Sequence, residues 1–215
     1  MRIPLFPLEN VVLLPEGVVP LHVFEPRYRQ LTADALASDR RIGMIAVRPE
    51  HAHEMAGDPP LYEVGCAGFV SEHERLPDGR YALLLKGTHR FRIIDELPRE
   101  GERLYRSAET EVLPETPGDS ARAAVLRDQV IDLLGRLSGR TRGPDQTIEV
   151  ARLRALEIGR FANAVSQSVR LPTREKQGLL EAATLAERLE RLASALDFHL
   201  AWLGRPAADG SETVH

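Results

Sequence analysis

Prolines constrain the opening of this 215-residue chain more than any other feature. Across residues 3–31, three apolar runs at 5–8, 11–14 and 18–24 are interrupted by Pro7, Pro15, Gly17 and Pro20. Each proline removes an amide donor and clashes with the preceding turn, so no helix runs through this stretch. The β-branched and aromatic residues between the breaks favour short, bent strands. Pro26 suits the first turn of a helix, where its missing N–H costs nothing, and Tyr28, Leu31 and Ala35 then share one face. The pattern predicts strand, turn, strand, helix.

Further along, residues 42–47 form an apolar run of strand length, followed by a Pro-rich loop over 48–60. Residues 61–76 read as one or two strands containing Gly65 and Gly68. Pro77-Asp78-Gly79-Arg80 is a hairpin turn, because Asp-Gly supplies the positive φ that tight turns need. Strands are expected at 81–85, at 91–94 and, by alternation, at 105–113. Many short strands with Gly/Pro punctuation and one helix indicate a small barrel or curled sheet.

The composition changes abruptly at residues 114–119, a Pro/Gly/polar stretch of the kind found between domains. Beyond it the period becomes helical: Leu126, Val130, Leu133 and Leu137 form one stripe, ended by residues 139–144. A second helix is expected over about 145–169, with Leu153, Leu156, Phe161, Val165 and Val169 on its apolar side. Thr173 is a candidate N-cap for a third. Thr184-Leu185-Ala186-Glu187 has capping-box spacing before a leucine stripe that Gly204 and Pro206 would end. The expected architecture is α+β: a barrel over 1–113, a bundle of about four helices over 119–204 and a disordered tail over 205–215.

Specific motifs carry a family resemblance. Pro4-Leu5-Phe6-Pro7-Leu8, followed by Pro20-Leu21-His22-Val23-Phe24-Glu25-Pro26-Arg27-Tyr28, resembles the opening signature of the Lon N-terminal domain. Residues 86–93, with Gly87, Arg90, Phe91 and Ile93, are similar to that family's Gly-x-x-Arg-Phe-x-Ile strand. Residues 161–165, Leu171-Pro172, 175–177, Leu179-Leu180 and Arg188-Leu189 are similar to its helical part. The match spans roughly residues 3–204. It implies a PUA-like β-barrel with one helix, followed by an α-helical bundle, and a role in substrate recognition.

A Lon protease also has an ATPase and a peptidase. The ATPase needs a Gly-x₄-Gly-Lys-Ser/Thr loop around the phosphates, and neither Lys86 nor Lys176 has that context. No segment resembles the family's serine–lysine peptidase site. The expectation is a stand-alone, non-catalytic, cytoplasmic module without cofactor or metal. It would bind unfolded polypeptide or a protein partner, possible partners including a separate ATP-dependent protease. No signal-length or membrane-spanning apolar run is present. The lone Cys66, flanked by Gly65, Ala67 and Gly68, reads as a structural thiol.

Six residues are candidates for binding: Phe24, Arg27, Tyr28, Phe69, Arg90 and Arg92, of which Phe24, Tyr28 and Phe69 could equally be core. Arg90 and Arg92 alternate with Phe91 and Ile93 and are expected on the exposed side. PUA-like barrels also occur in RNA-modifying proteins, and Arg90, Arg92, Arg103 and Arg106 would then form a basic face. Residues 1–113 carry 14 basic against 18 acidic side chains, which argues against nucleic acid. His51, His53 and Glu54 read as a surface loop rather than a metal site, Glu72-His73-Glu74 as a solvated strand, and His22 with Glu25 as structural.

Overall fold

The computed structural model describes residues 1–140 and 152–203. Its first half contains β1 (Arg2–Leu8), β2 (Val18–Val23), α1 (Pro26–Leu36), β3 (Arg41–Ala46), β4 (Val64–Arg75), β5 (Tyr81–Leu97) and β6 (Ser107–Leu113). Its second half contains α2 (Ser120–Arg140), α3 (Ile158–Ser168), α4 (Thr173–Glu181) and α5 (Leu185–Leu203). Strand, turn, strand and helix follow one another at the N-terminus as the proline pattern predicts. Among the described residues, no helix is long and apolar enough to cross a membrane.

The six strands lie in the order β2-β5-β4-β3-β1-β6, and β5 also pairs with β6. β5 makes this closure possible. Residues 81–86 pair with β2 and residues 90–97 with β6, while β4 follows its other side from Tyr81 to Arg92. Strands β1, β3, β4, β5 and β6 therefore close a ring, and β2 is left with one free edge. The sequence divides β5 into two strands at residues 86–90, but the chain continues unbroken. The pairing with β4 is shifted here, Gly68 opposite Gly87 and Ala67 opposite His89, so Thr88 is an extra residue in a bulge and the strand continues through it.

Ile3, Leu5, Ile45, Ala67, Phe91 and Ala108, drawn from all five ring strands, form one buried cluster within the ring. Phe91 fills it only because Gly65 is opposite: a Cβ there would lie 2.5 Å from the ring's Cζ. A larger cluster covers the other side of these strands, joining residues 12–14 and α1 to Val19, Val70 and Leu85. Tyr28 belongs to it, stacked on Phe6 at 4.2 Å and donating its hydroxyl to the Pro7 carbonyl. Burial pushes its phenol up to about 12. The hairpin at Gly79 adopts φ +80° there and nowhere else in the turn, a type I turn closed by a glycine bulge.

The helical half buries its leucine stripes: Val130, Leu133, Leu189, Leu192 and Leu196 pack with Phe161 and Val165. The expected second helix is not continuous. Glu157 interrupts it, and its carboxylate accepts from the Gly159 and Arg160 amides to start α3. Residues 141–151 and the tail after 203 lie outside the described residues, including the expected helix end at 139–144 beyond Arg140, the stop at Gly204 and the disordered segment. Pro172, not Thr173, occupies the N-cap of α4, so Thr173 is the first helical residue. The capping box is present: Thr184 Oγ1 accepts from the Glu187 amide, and the Glu187 carboxylate accepts from the Ala183 amide.

Buried polar contacts join the two halves. Arg90 is 3% exposed, which overturns its expected exposure. Both neighbours on β5 parity matter here: Phe91 turns into the ring, while Arg90 turns into the helices, so neither side of the strand is solvent at this point. Its guanidinium donates to the carbonyls of Leu180 (2.8 Å), Ala182 (2.6 Å) and Pro114 (3.0 Å). Glu115 lies beside it and receives a two-pronged pair from fully buried Arg188, at 2.8 and 2.9 Å. Arg188 also donates to Asn163 and to the Leu179 carbonyl. Burial pushes the Glu115 carboxyl up, but the hydrogen bonds and charge of Arg188, with the charge of Arg90, outweigh it and hold the carboxyl below its ordinary range. Gln177 donates to the Val64 carbonyl, and Gln167 accepts from the Leu14 amide, so α3 and α4 both attach to the barrel.

Candidate functional site

Strand β2 is apolar on both faces. Val19 and Val23 pack inward, while Val18, Pro20 and His22 stand on the outer face. Cross-strand register extends that outer face over β5 and β4. Val18 lies opposite Lys86, and Lys86 opposite Phe69; Pro20 lies opposite Leu84, and Leu84 opposite Glu72; His22 lies opposite Ala82, and Ala82 opposite Glu74. A register shift between Val70 and Glu72 brings Glu72 and Glu74 onto the same face as Phe69. The Phe24 ring lies 6.5 Å from the His22 ring and continues the row beyond the strand end.

The surface that results is a shallow trough of about 560 Å³, with Pro20, Leu84 and Ala82 along it and Glu72 and Glu74 on one side. By register, Phe69 (39% exposed) and Val18 (48%) lie one row beyond it at one end, and Phe24 (60%) lies past the end of β2 at the other. From Val18 to Phe24 is six strand steps, or about 20 Å at roughly 3.3 Å per residue. Isolated exposed apolar residues are common, whereas Val18, Phe69 and Phe24 share one sheet face.

The free edge of β2 is less accommodating. The Gly87 amide donates to the Gly17 carbonyl, so the odd residues of β2 pair with β5 and the even ones turn their backbone outward. The middle position of that edge is Pro20, which has no N–H to offer an added strand. Proline in this place is a recognised way of blunting an edge.

The other candidate residues have structural partners. Arg27 donates to Glu25 at 3.0 Å and to the Met55 and Gly57 carbonyls, holding the loop after the short 3₁₀ turn Pro49–Glu54. Tyr28 and Arg90 are buried. Arg92 is exposed and faces Glu111 at 3.4 Å. Arg106 is clamped by Glu96 at 2.5 and 2.8 Å, and Arg103 lies 4.0 Å from Glu100. The four arginines therefore do not assemble into a basic face. His22 contacts Arg80 while Glu25 contacts Arg27, so they are not an acid–base pair. His51 hydrogen-bonds Glu54 at 2.8 Å, and among the described residues no group of three or more side chains is placed to hold a metal ion. Burial raises the Cys66 thiol to about 12, which makes it a poor nucleophile.

Two other concavities compete for attention. One of about 640 Å³ lies where barrel meets helices and is lined by Arg48, Glu50, Tyr62 and Arg174 among others. It lies between the two halves, and its lining mixes the charges of Glu9, Arg48, Glu50 and Arg174 with the apolar surface of Pro49, Ala52, Tyr62 and Pro172. The second, of about 550 Å³, lies between α4 and α5, with Leu171, Leu179, Ala195 and Phe198. The charges at its rim are mostly engaged: Glu187 with Arg191 and Glu190 with Arg122, each at 2.5 Å. Sequence reasoning finds Phe24 and Phe69 but misses Val18, Leu84, Glu72 and Glu74 as their neighbours. The available signal was β2 itself, whose apolar residues fall at both parities.

A family model described as the ATP-dependent protease La (LON) substrate-binding domain matches residues 2–197. The Lon protease of Dictyoglomus thermophilum is 25% identical over 190 residues, which cover 88% of this chain and 23% of that protein. The Lon protease of Paraburkholderia phytofirmans is 30% identical over 199 residues, covering 89% and 24%. The chain thus spans about a quarter of the length of these relatives. Among solved structures, the N-terminal domain of a Mycobacterium avium complex Lon protease aligns with a TM-score of 0.70 at 19% identity, covering 93% of this chain and 100% of that one. A Lon N-terminal domain protein from Xanthomonas campestris gives 0.58 at 22% identity, covering 90% and 98%. The two solved structures show a shared fold.

Proposed function

The chain belongs to the Lon substrate-binding domain family, and from that premise we propose that it recognises unfolded polypeptide on the outer face of the β2–β5–β4 sheet and performs no chemistry of its own. The observation that carries this reading is the exposed apolar row from Phe69 and Val18 to Phe24. Unfolded chains differ from folded ones chiefly in displaying apolar side chains, and a row of exposed aromatic and aliphatic groups recovers their burial energy at about 25 cal/mol per Å². Two aromatic anchors joined by a low apolar floor resemble the few residues that dominate binding at protein interfaces. The rigid ring behind the face supports preorganisation, since nothing need order before contact.

Among the described residues, Cys66 and Ser166 are fully buried and His22 contacts Arg80, which supports a binding role for these positions over a catalytic one. Pro20 favours side-chain contact with the face over strand addition at the edge.

The test is fluorescence anisotropy with a permanently unfolded, labelled protein. Wild-type chain should bind it, and the double variant Phe24→Ser, Phe69→Ser should lose at least tenfold in affinity while its thermal midpoint stays put. A variant that binds as wild type does would refute the proposed surface. Wild-type protein that ignores unfolded chains would refute the function.

A further inference from the structure

The trough is asymmetric in charge, and its asymmetry defines a ligand more narrowly than apolar character alone. Glu72 and Glu74 stand in its two central rows, opposite Leu84 and Ala82. Both are exposed, and neither has an ion-pair partner among the described residues. By contrast Glu96, Glu111, Asp58, Asp78 and Glu25 on the barrel surface each have an arginine within 4 Å. Arg80, the nearest arginine along the hairpin, is occupied by Asp78 at 2.6 Å and by His22. Lys86 lies at the end with Phe69 and Val18, and Arg80, already paired with Asp78, lies at the His22 end, so the centre between them remains acidic.

We infer that the trough selects extended polypeptide segments in which one or two Lys or Arg residues lie between apolar side chains. This inference rests on the polypeptide-binding reading and adds its charge preference. The spacing supplies the geometry. About 20 Å between the end rows accommodates roughly six residues of extended chain, with apolar side chains against Phe69 and Val18 at one end and against Phe24 at the other. The residues between them lie over Leu84 and Ala82, where a Lys or Arg stem covers apolar floor and its charged head reaches Glu72 or Glu74. An Asp or Glu in the same position would face two like charges.

These pairs form at the surface, where each contributes little, so the expected preference is modest: about two- to tenfold for the pair of glutamates together. Screening should remove most of it at high salt, because the Debye length shrinks to about 3 Å at 1 M.

Three labelled hexapeptides with the same apolar residues at both ends and Lys-Lys, Gln-Gln or Glu-Glu in the middle provide the test, titrated against the full chain at low and high salt. The Lys peptide should bind tightest and the Glu peptide weakest, and the order should collapse at 1 M salt. Glu72→Gln, Glu74→Gln should abolish the order, so that the Lys, Gln and Glu peptides bind that variant alike. Equal affinity for all three on wild type, or an order that survives the double substitution, would overturn the charge preference while leaving the apolar site intact. If none of the three binds, the polypeptide-binding reading falls and this inference with it.

Discussion

The junction between barrel and helices and the outer face of β2–β5–β4 invert the usual distribution of residue types. Two buried arginines grip a partly exposed glutamate where the halves meet, while two phenylalanines and a valine stand in solvent on the face, with Leu84 half-buried between them. At the junction the charges are held: Arg188 is fully buried yet binds Glu115 in two hydrogen bonds, and Arg90 is tied to three carbonyls. On the face the exposed apolar side chains, Glu72 and Glu74 have no such partners among the described residues. Satisfied charges inside fix one geometry, and unsatisfied groups outside remain available for a partner. The junction and the proposed recognition surface therefore use different parts of β4 and β5.

The sharpest way to break that contrast is to remove one partner at the junction. Glu115→Ala leaves Arg188 buried without its carboxylate, and such losses cost about 3–5 kcal/mol. Urea denaturation should show a drop of that size, with binding at the face retained in the fraction that stays folded. The same glutamate predicts an acid sensitivity. Its folded pKa lies below the unfolded value of about 4.5, so the stability it contributes is complete above that value and is lost as pH falls through the folded pKa. Stability measured from pH 6 down to pH 3 should fall less steeply for Glu115→Gln than for wild type, once both are normalised to their values at pH 6.

The face should respond in the opposite sense. Phe24→Ala or Phe69→Ala should each weaken polypeptide binding by about tenfold, near 1.4 kcal/mol, with stability changed by no more than about 0.5 kcal/mol. Between these extremes lies the cap of α5. Thr184→Ala removes the oxygen that accepts the Glu187 amide and should cost about 1 kcal/mol of stability with no effect on binding. The smallest expected effect is at Arg92. Its pair with Glu111 is half-exposed on both sides, so Arg92→Ala should change stability by less than about 0.5 kcal/mol, in contrast to Arg90 two residues before it.

The pair Arg90 and Arg92 also shows where sequence reading reaches its limit. Period-2 alternation correctly places both on the parity opposite Phe91, but it presumes that one face of a strand is solvent. Here the helical half covers that face at Arg90 and leaves it open at Arg92, a difference that depends on contacts 90 residues away in sequence. The strand–turn–strand–helix opening, the hairpin at Gly79, the burial of Cys66 and the leucine stripes were all legible, because each depends on neighbours within a few positions. The continuity of β5 was not, since Gly87 and the polar residues around it look like a break until β4 is laid alongside. For the face, Phe24 and Phe69 were legible as candidates, but their association depends on the register of three strands and on the shift after Val70.

One experiment addresses the central claim directly: amide chemical-shift mapping on the full chain as an unfolded polypeptide is added. The account predicts shifts concentrated on Val18, His22, Phe24, Phe69, Glu72 and Leu84, with the Arg90–Glu115–Arg188 junction unmoved. Shifts confined to the α4–α5 groove around Leu179 and Phe198 would contradict it and move recognition to the helical half.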